Sequence, residues 1–530
     1  MTSPPADVGT ASVARPSRTS LANGDALIVA FVALALALAA DPRGNFPLND
    51  DWAYAHSVQW LLAEHRIRLS DWAAMNLLPQ TLAGGVVAML AGFSFESLRH
   101  LTQLVSVGVA VLALWWFRAV GLGRPASCVA TLTLVAMPCW LPLAESFMTD
   151  LYAIAFALPA ATLFVQALRA PTRKRIALAT LLAALGMLQR QVVLVVPLAF
   201  GVAWIAAWFL APPPTRTSPA RRLATAVVPV LVVVAVEFAY RAYLASGPGI
   251  PSAQRVIHER VLDAIARTID NDGGYYRHWV VSNAFAIAAY IALFAAPFAL
   301  WHGTRGRPAR AGLLLVAAIA VLAMALTGFW PPWRGNHVVD AAGIGPFTLY
   351  DAQPRGLFPL DRSAGPFWIG VGVLAASGFA ALCRVGWVAL RAVAARRDDT
   401  PLLVFLVTMT VAYVAPFVLT DFTDRYLLFV LPFVLALIAI AEPPGAGLPR
   451  RALAIVVIIA ALVIEALAVH DYFAWNRARW DAIRDAQAQG ATPSTLDGGF
   501  EYNGYFGYEA RLRTREDRQR DAVGERRGRA

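Results

Sequence analysis

The feature that most constrains this chain is a succession of apolar runs, many of them about twenty residues long. They read as spans near 26–40, 97–117, 125–141, 151–168, 175–188, 192–211, 223–244, 279–301, 311–329, 366–390, 402–419, 426–441 and 452–469. A helix rises about 1.5 Å per residue, so about 20 residues cross the roughly 30 Å hydrocarbon layer of a bilayer. Composition agrees, with 58% hydrophobic and 15% charged residues and a mean hydropathy of +0.56, where soluble domains hold about 45–50% and about 25%. The predicted fold class is therefore an all-α integral membrane protein with about 13 transmembrane helices. Gln80 to Phe93 is apolar but short and glycine-bearing, which suits an interfacial or re-entrant piece. The stretch Asn49 to Tyr54 leads into an amphipathic interfacial helix through Leu61 and Leu62 in the first long link.

The net charge of +11 would suggest nucleic acid in a soluble protein. Here the basic residues fall in every second link between apolar runs: Arg118/Arg124, Arg169/Arg173/Lys174/Arg175, Arg216/Arg221/Arg222, Arg305/Arg307/Arg310, Arg391/Arg396/Arg397 and Arg450/Arg451. That alternation is the signature of cytoplasmic links. It predicts a cytoplasmic N-terminal tail over 1–25, a transmembrane domain over 26–469, an extracytoplasmic segment over 470–510 and a charged, disordered tail over 511–530. Arg15 and Arg18 ahead of Ala26 to Ala40 resemble a secretory signal, but the later spans orient correctly only if that run is kept or another is added. The three cysteines, Cys128, Cys139 and Cys383, lie in apolar segments without paired spacing, so neither a disulfide framework nor a zinc site is indicated.

The links on the opposite side are longer and rich in aspartate, aromatics, glycine and proline, as in Trp330-Pro331-Pro332-Trp333 and Gly343 to Pro366. Four of them carry candidate chemistry. Asn49-Asp50-Asp51-Trp52 places two adjacent carboxylates at a membrane boundary, where repulsion and desolvation raise one pKa toward that of a general base, and where a metal ligand or a plain helix N-cap is equally consistent. Glu145 to Asp150 is a short hairpin with two more carboxylates, suited to an acid/base pair or a divalent cation, while Thr149 or Asp150 alone would serve as a cap. Gln189-Arg190-Gln191 wedges a guanidinium between two apolar runs, where it faces the protein interior or an aqueous cavity and suits a phosphate, or snorkels to the interface as a loop arginine. Asp424-Arg425-Tyr426 opens a late span, either as a local ion pair or as a second cation for a lipid phosphate.

No phosphate-loop, zinc-hydrolase or nucleophile-elbow motif is present. A transporter or flippase of a lipid-linked sugar is the competing class. It would place polar groups near the bilayer midplane, whereas here the span centres are Ala, Leu and Val and the intramembrane Glu237 and Glu465 lie toward one end. A non-catalytic envelope assembly protein would lack convergent acidic and basic groups.

On the Asn49-Asp50-Asp51-Trp52 loop, the Glu145 to Asp150 loop, Arg190-Gln191 and Asp424-Arg425-Tyr426, the chain resembles the polytopic glycosyltransferases of the GT-C type. These include bacterial relatives of protein O-mannosyltransferases and of the lipid A aminoarabinose transferase. The resemblance covers roughly the first 200 residues by motif and the rest by topology. It implies a bacterial inner-membrane enzyme that moves a sugar, with inversion, from a polyprenyl-phosphate donor to an extracytoplasmic envelope glycan, lipid or protein. Under it, Asp50 or Asp51 is the base; Arg190, Gln191 and Arg425 hold the donor phosphate; and Glu145 and Asp150 shape the pocket or bind a divalent cation, which some relatives use and others do not. The second loop reads Phe147-Met148-Thr149-Asp150 where many relatives differ, and the tail is not the folded accessory domain of the mannosyltransferases, which leaves the acceptor open.

Overall fold

A computed structural model describes residues 23–210, 218–269, 274–303, 339–340, 343–344, 365–394, 399–420, 423–441, 444–509 and 511. The predicted 311–329 span, the Trp330 to Trp333 stretch, most of Gly343 to Pro366 and nearly all of the charged tail lie outside them. The described chain is helical apart from one two-residue antiparallel ladder, Val339–Asp340 with Gly343–Ile344.

Helices α1 (Asn23–Ala39), α2 (Asp51–Glu64), α3 (Leu78–Ala91), α4 (Phe95–Val120), α5 (Arg124–Val135) and α6 (Trp140–Ala144) build the first part. There follow α7 (Asp150–Arg169), α8 (Arg173–Gln189), α9 (Val195–Leu210), α10 (Pro219–Ser246), α11 (Ser252–Ile269) and α12 (Gly274–His302). The last are α13 (Gly365–Ala394), α14 (Thr400–Leu419), α15 (Leu427–Ala441), α16 (Leu448–Ala488) and a short α17 over 500–509. Among the described residues eight helical segments are long and apolar enough to cross a membrane, and α1, α3 and part of α13 form shorter apolar helices. The chain is thus a multi-pass membrane protein.

Two expected spans take a different form. The run 125–141 is broken, because α5 stops at Val135 and α6 resumes only at Trp140. Pro138 between them can donate no backbone hydrogen bond and disfavours helix in the residue before it. The last run, read as 452–469 with a separate tail, continues without a break through Ala488. At 41 residues α16 is about 60 Å long, twice the hydrocarbon thickness, so its second half stands clear of the bilayer as a mast. The predicted interfacial pieces form α2 and α3. In α3, Leu82, Val86, Met89 and Leu90 are exposed while Gln80, Thr81, Gly84 and Gly85 face the protein, the pattern of a helix half in lipid.

Helix α15 is buried on nearly every side, as its uninterrupted apolar sequence requires, and its neighbours include α12, α13 and α14. The two ends of the bundle differ in chemistry. At one, Arg124 pairs with Asp25 at 2.8 Å and Arg169 closes the C-terminus of α4 by donating to the Val120 carbonyl at 3.1 Å. Lys174 and Arg175 start α8 just beyond Arg169, and Arg222 lies in the first turn of α10. The other end carries α2, α3, α6 and the upper half of α16, together with the candidate residues.

Candidate active site

Each candidate residue is set by a break in helical structure. Asn49 has φ +55°, a left-handed turn that Asn tolerates better than most side chains, and it reverses the chain into α2. Asp50 occupies the N-cap position of α2 but makes no side-chain cap hydrogen bond. Its carboxylate turns away, accepting from the Trp72 indole Nε1 at 2.9 Å and pairing with the Arg425 guanidinium at 3.4 Å. Arg425 sits on a 3-10 turn, Asp424–Tyr426, that precedes α15. Its ion-pair partner is Asp50, 375 residues away in sequence, whereas the adjacent Asp424 accepts the backbone N–H of Arg425 at 2.9 Å.

Arg190 lies in extended backbone between α8 and the 3-10 turn at Gln191–Leu194, where the helix interruption lets the side chain turn inward. It is ion-paired with Asp150 in the first turn of α7, and both side chains are buried. Thr149 holds the N-cap position of α7 without a side-chain hydrogen bond. The guanidinium carbons of Arg190 and Arg425 lie 5.1 and 5.5 Å from the centroid of the same Tyr426 ring. Tyr54, one turn along α2 from Asp50, is within electrostatic reach of Asp50, Arg425, Asp150 and Arg190, and burial pushes its hydroxyl pKa up. Tyr413, whose hydroxyl donates to the Tyr426 carbonyl at 2.6 Å, completes the group.

Several polar atoms here are buried with no partner among the described residues: Arg425 Nε and Nη1, Asp150 Oδ2 and the Thr149 and Thr423 hydroxyls. An unmatched buried donor costs about 1–3 kcal/mol, more when charged, and calls for an explanation. Two guanidinium nitrogens without partners, beside a second arginine, are donors of the kind that bind an anion with several oxygens, with Asp50 and Asp150 balancing the charge of the two arginines.

The other candidate carboxylates point elsewhere. Asp51, 2% exposed, accepts the backbone N–H of Leu48 at 2.7 Å and of Phe147 at 3.3 Å, so both of its oxygens staple the first loop to the second. Burial pushes its pKa well above the usual carboxylate range, despite those donors and nearby Arg99. Glu145 accepts from Gln103 Nε2 at 2.7 Å and its other oxygen is unmatched. Burial pushes its pKa up to about 8, against the pull of Gln103 and Arg99. Gln191 donates to Asn76 at 2.9 Å, in a network that continues to Glu237 and Arg241, away from the arginine pair. The four carboxylates therefore divide: Asp50 and Asp150 face the arginines, and Asp51 and Glu145 hold the loops. Among the described residues no three His, Cys, Asp or Glu side chains group closely enough to hold a metal ion.

The residue that organises this end is one that sequence reasoning missed. Arg99, 1% exposed, donates to the carbonyls of Glu145, Pro42, Gly44 and Phe46 at 2.7–3.0 Å, gathering the chain after α1 and the second loop around one guanidinium. The available signal was an arginine inside an apolar run, on the side of the protein where the links hold few cations.

No family model matches the chain, and no curated protein matches it in sequence. Among solved structures it is similar to the oligosaccharyltransferase of Archaeoglobus fulgidus in the apo form, at 14% identity and a TM-score of 0.46, over 86% of this chain and 56% of that one. The chain thus spans little more than half the length of that protein. It is also similar to ArnT from Cupriavidus metallidurans, at 16% identity over 92% of this chain and 85% of that one. The TM-score is 0.39 for ArnT bound to undecaprenyl phosphate and 0.38 for its apo state.

Proposed function

We propose that this protein is a membrane glycosyltransferase that moves a sugar from a polyprenyl-phosphate donor to a hydroxyl of an extracytoplasmic envelope acceptor. The observation that carries the reading is the pairing of Asp50 with Arg425, whose remaining N–H groups are buried and unmatched beside Arg190. An inverting displacement at a glycosyl phosphate needs a base on one side of the sugar and cations for the leaving phosphate on the other, so the donor must part the 3.4 Å contact between Asp50 and Arg425 as it enters.

In this reading the donor phosphate binds between Arg425 and Arg190, with its lipid in the bilayer and its sugar toward Asp50. The acceptor oxygen attacks the anomeric carbon as the bond from that carbon to the phosphate oxygen breaks. Asp50 takes the acceptor's proton, and the polyprenyl phosphate leaves carrying the negative charge that the two guanidinium groups stabilise. One displacement inverts the anomeric centre. Of the adjacent aspartates we assign the base to Asp50, because it is partly exposed and faces the arginines, whereas Asp51 is 2% exposed and tied to backbone donors of the two loops. Asp150 holds Arg190 in place. The Arg190 guanidinium compensates the charge of Asp150, so we expect chelation by EDTA to leave the rate unchanged. By the distribution of basic residues the site end faces away from the cytoplasm.

The test is transfer of radiolabelled sugar from a polyprenyl-phosphate donor by the purified protein in detergent. Asp50→Asn should lose at least about 100-fold in kcat while still binding donor, by the typical contribution of a positioned base. Arg425→Gln should weaken donor binding and turnover together. Donor binding without turnover by the wild-type protein, together with donor movement across vesicle membranes, would favour a flippase instead.

A further inference from the structure

The segment beyond the mast returns to the site. Helix α17 lies on α2: Gln59 donates to the Tyr505 hydroxyl at 2.8 Å, His56 stacks on the Tyr505 ring with centroids 4.6 Å apart, and the Ser70 hydroxyl donates to Glu509 at 2.9 Å. Glu501 accepts from Arg479 at 2.8 Å and from the backbone N–H of Asn49 at 3.2 Å, beside Asp50 itself. The approach is close enough that a Cβ on Gly504 would meet the Trp52 ring at 2.4 Å. Against this surface Trp72 is held by three rings: Trp52 at 6.0 Å, Phe500 at 6.0 Å and Tyr508 at 5.3 Å between centroids. Two of the three belong to α17.

Trp72 is thus the link between α17 and the carboxylate. Of the two contacts Asp50 makes, the Arg425 contact is long at 3.4 Å, and hydrogen bonds weaken toward that distance, whereas the indole contact is 2.9 Å. The orientation of the carboxylate depends on Trp72, and the orientation of Trp72 depends on α17. We propose that Trp72 is a positioning residue for the base and that α17 forms a working wall of the site, aligning Asp50 through the indole N–H. The inference rests on the reading of Asp50 as the base.

The experiment is a double-mutant cycle in the full-length protein, read as kcat and donor KM. Trp72→Phe keeps an aromatic ring against Phe500 and Tyr508 but removes the donor. It is expected to lower kcat about 10- to 100-fold, the scale of a misplaced catalytic group, with donor KM unchanged. Gly504→Ala, which wedges α17 away from Trp52 without touching Trp72 or Asp50, should lower kcat in the same way. In an Asp50→Asn background Trp72→Phe should cause no further loss, because there is no longer a base to align. Wild-type kcat in both Trp72→Phe and Gly504→Ala, or an equal loss from Trp72→Phe with and without Asp50, would overturn the proposal while leaving Asp50 as the base. Full turnover in Asp50→Asn would overturn the base assignment, and the inference with it.

Discussion

Asp50 and Asp51 are neighbours at a helix start, and successive helical residues point about 100° apart, so one faces the arginines and the other the interior. The consequence for Asp51 is structural. Asn can offer only one acceptor where Asp51 now serves two backbone donors, so Asp51→Asn should destabilise the protein by about 1–3 kcal/mol, seen as a lowered Tm in detergent. Glu145 gives a test in pH. Its carboxyl is pushed from 4.5 up to about 8 in the folded protein, so between those values the folded state holds a proton that the unfolded state has released. Stability from this group is complete below pH 4.5 and lost as pH rises through about 8. Glu145→Gln cannot ionise, and a Tm measured across that window should be flatter than in the wild type.

At the scale of elements, the site is built where helices stop. The interruption between α8 and α9 releases Arg190, the 3-10 turn before α15 presents Arg425, and the left-handed Asn49 starts α2. Most of the helices themselves were legible as apolar runs. The break at Pro138 and the unbroken length of α16 were not, because hydropathy falls off at the membrane boundary whether or not the helix ends there. Packing between α12 and α13 offers a check on the bundle. A Cβ on Gly378 would sit 1.8 Å from the Ala292 carbonyl oxygen. Alanine ordinarily favours a helix by about 1 kcal/mol over glycine, but here the clash should dominate. Gly378→Ala should lower Tm, consistent with about 1–3 kcal/mol for overpacking.

For the whole molecule, the basic end and the site end should lie on opposite sides of the membrane. Lys174 and Ser494 are both exposed, at opposite ends. In a Cys383→Ser background, which removes the exposed native thiol, Ser494→Cys should react with a membrane-impermeant maleimide in intact cells. Lys174→Cys should react only after permeabilisation. The reverse pattern would invert the topology and remove the extracytoplasmic acceptor from the proposal.

What the sequence determined by itself is the class of solvent and the place of the charges. Hydrophobic transfer depends on composition within a local window, so apolar runs declare a membrane protein, and basic links declare its two ends. The loops that hold the candidate residues could be named for the same reason. Which carboxylate meets which guanidinium was decided only in three dimensions. Asp50 and Arg425 are 375 positions apart, Asp51 meets Phe147 across 96, and Ser70 meets Glu509 across 439. Such partners are chosen by chain reversals and helix packing, in which a single turn of backbone rotates a side chain from one cluster to another, and no local pattern of residue types records that choice.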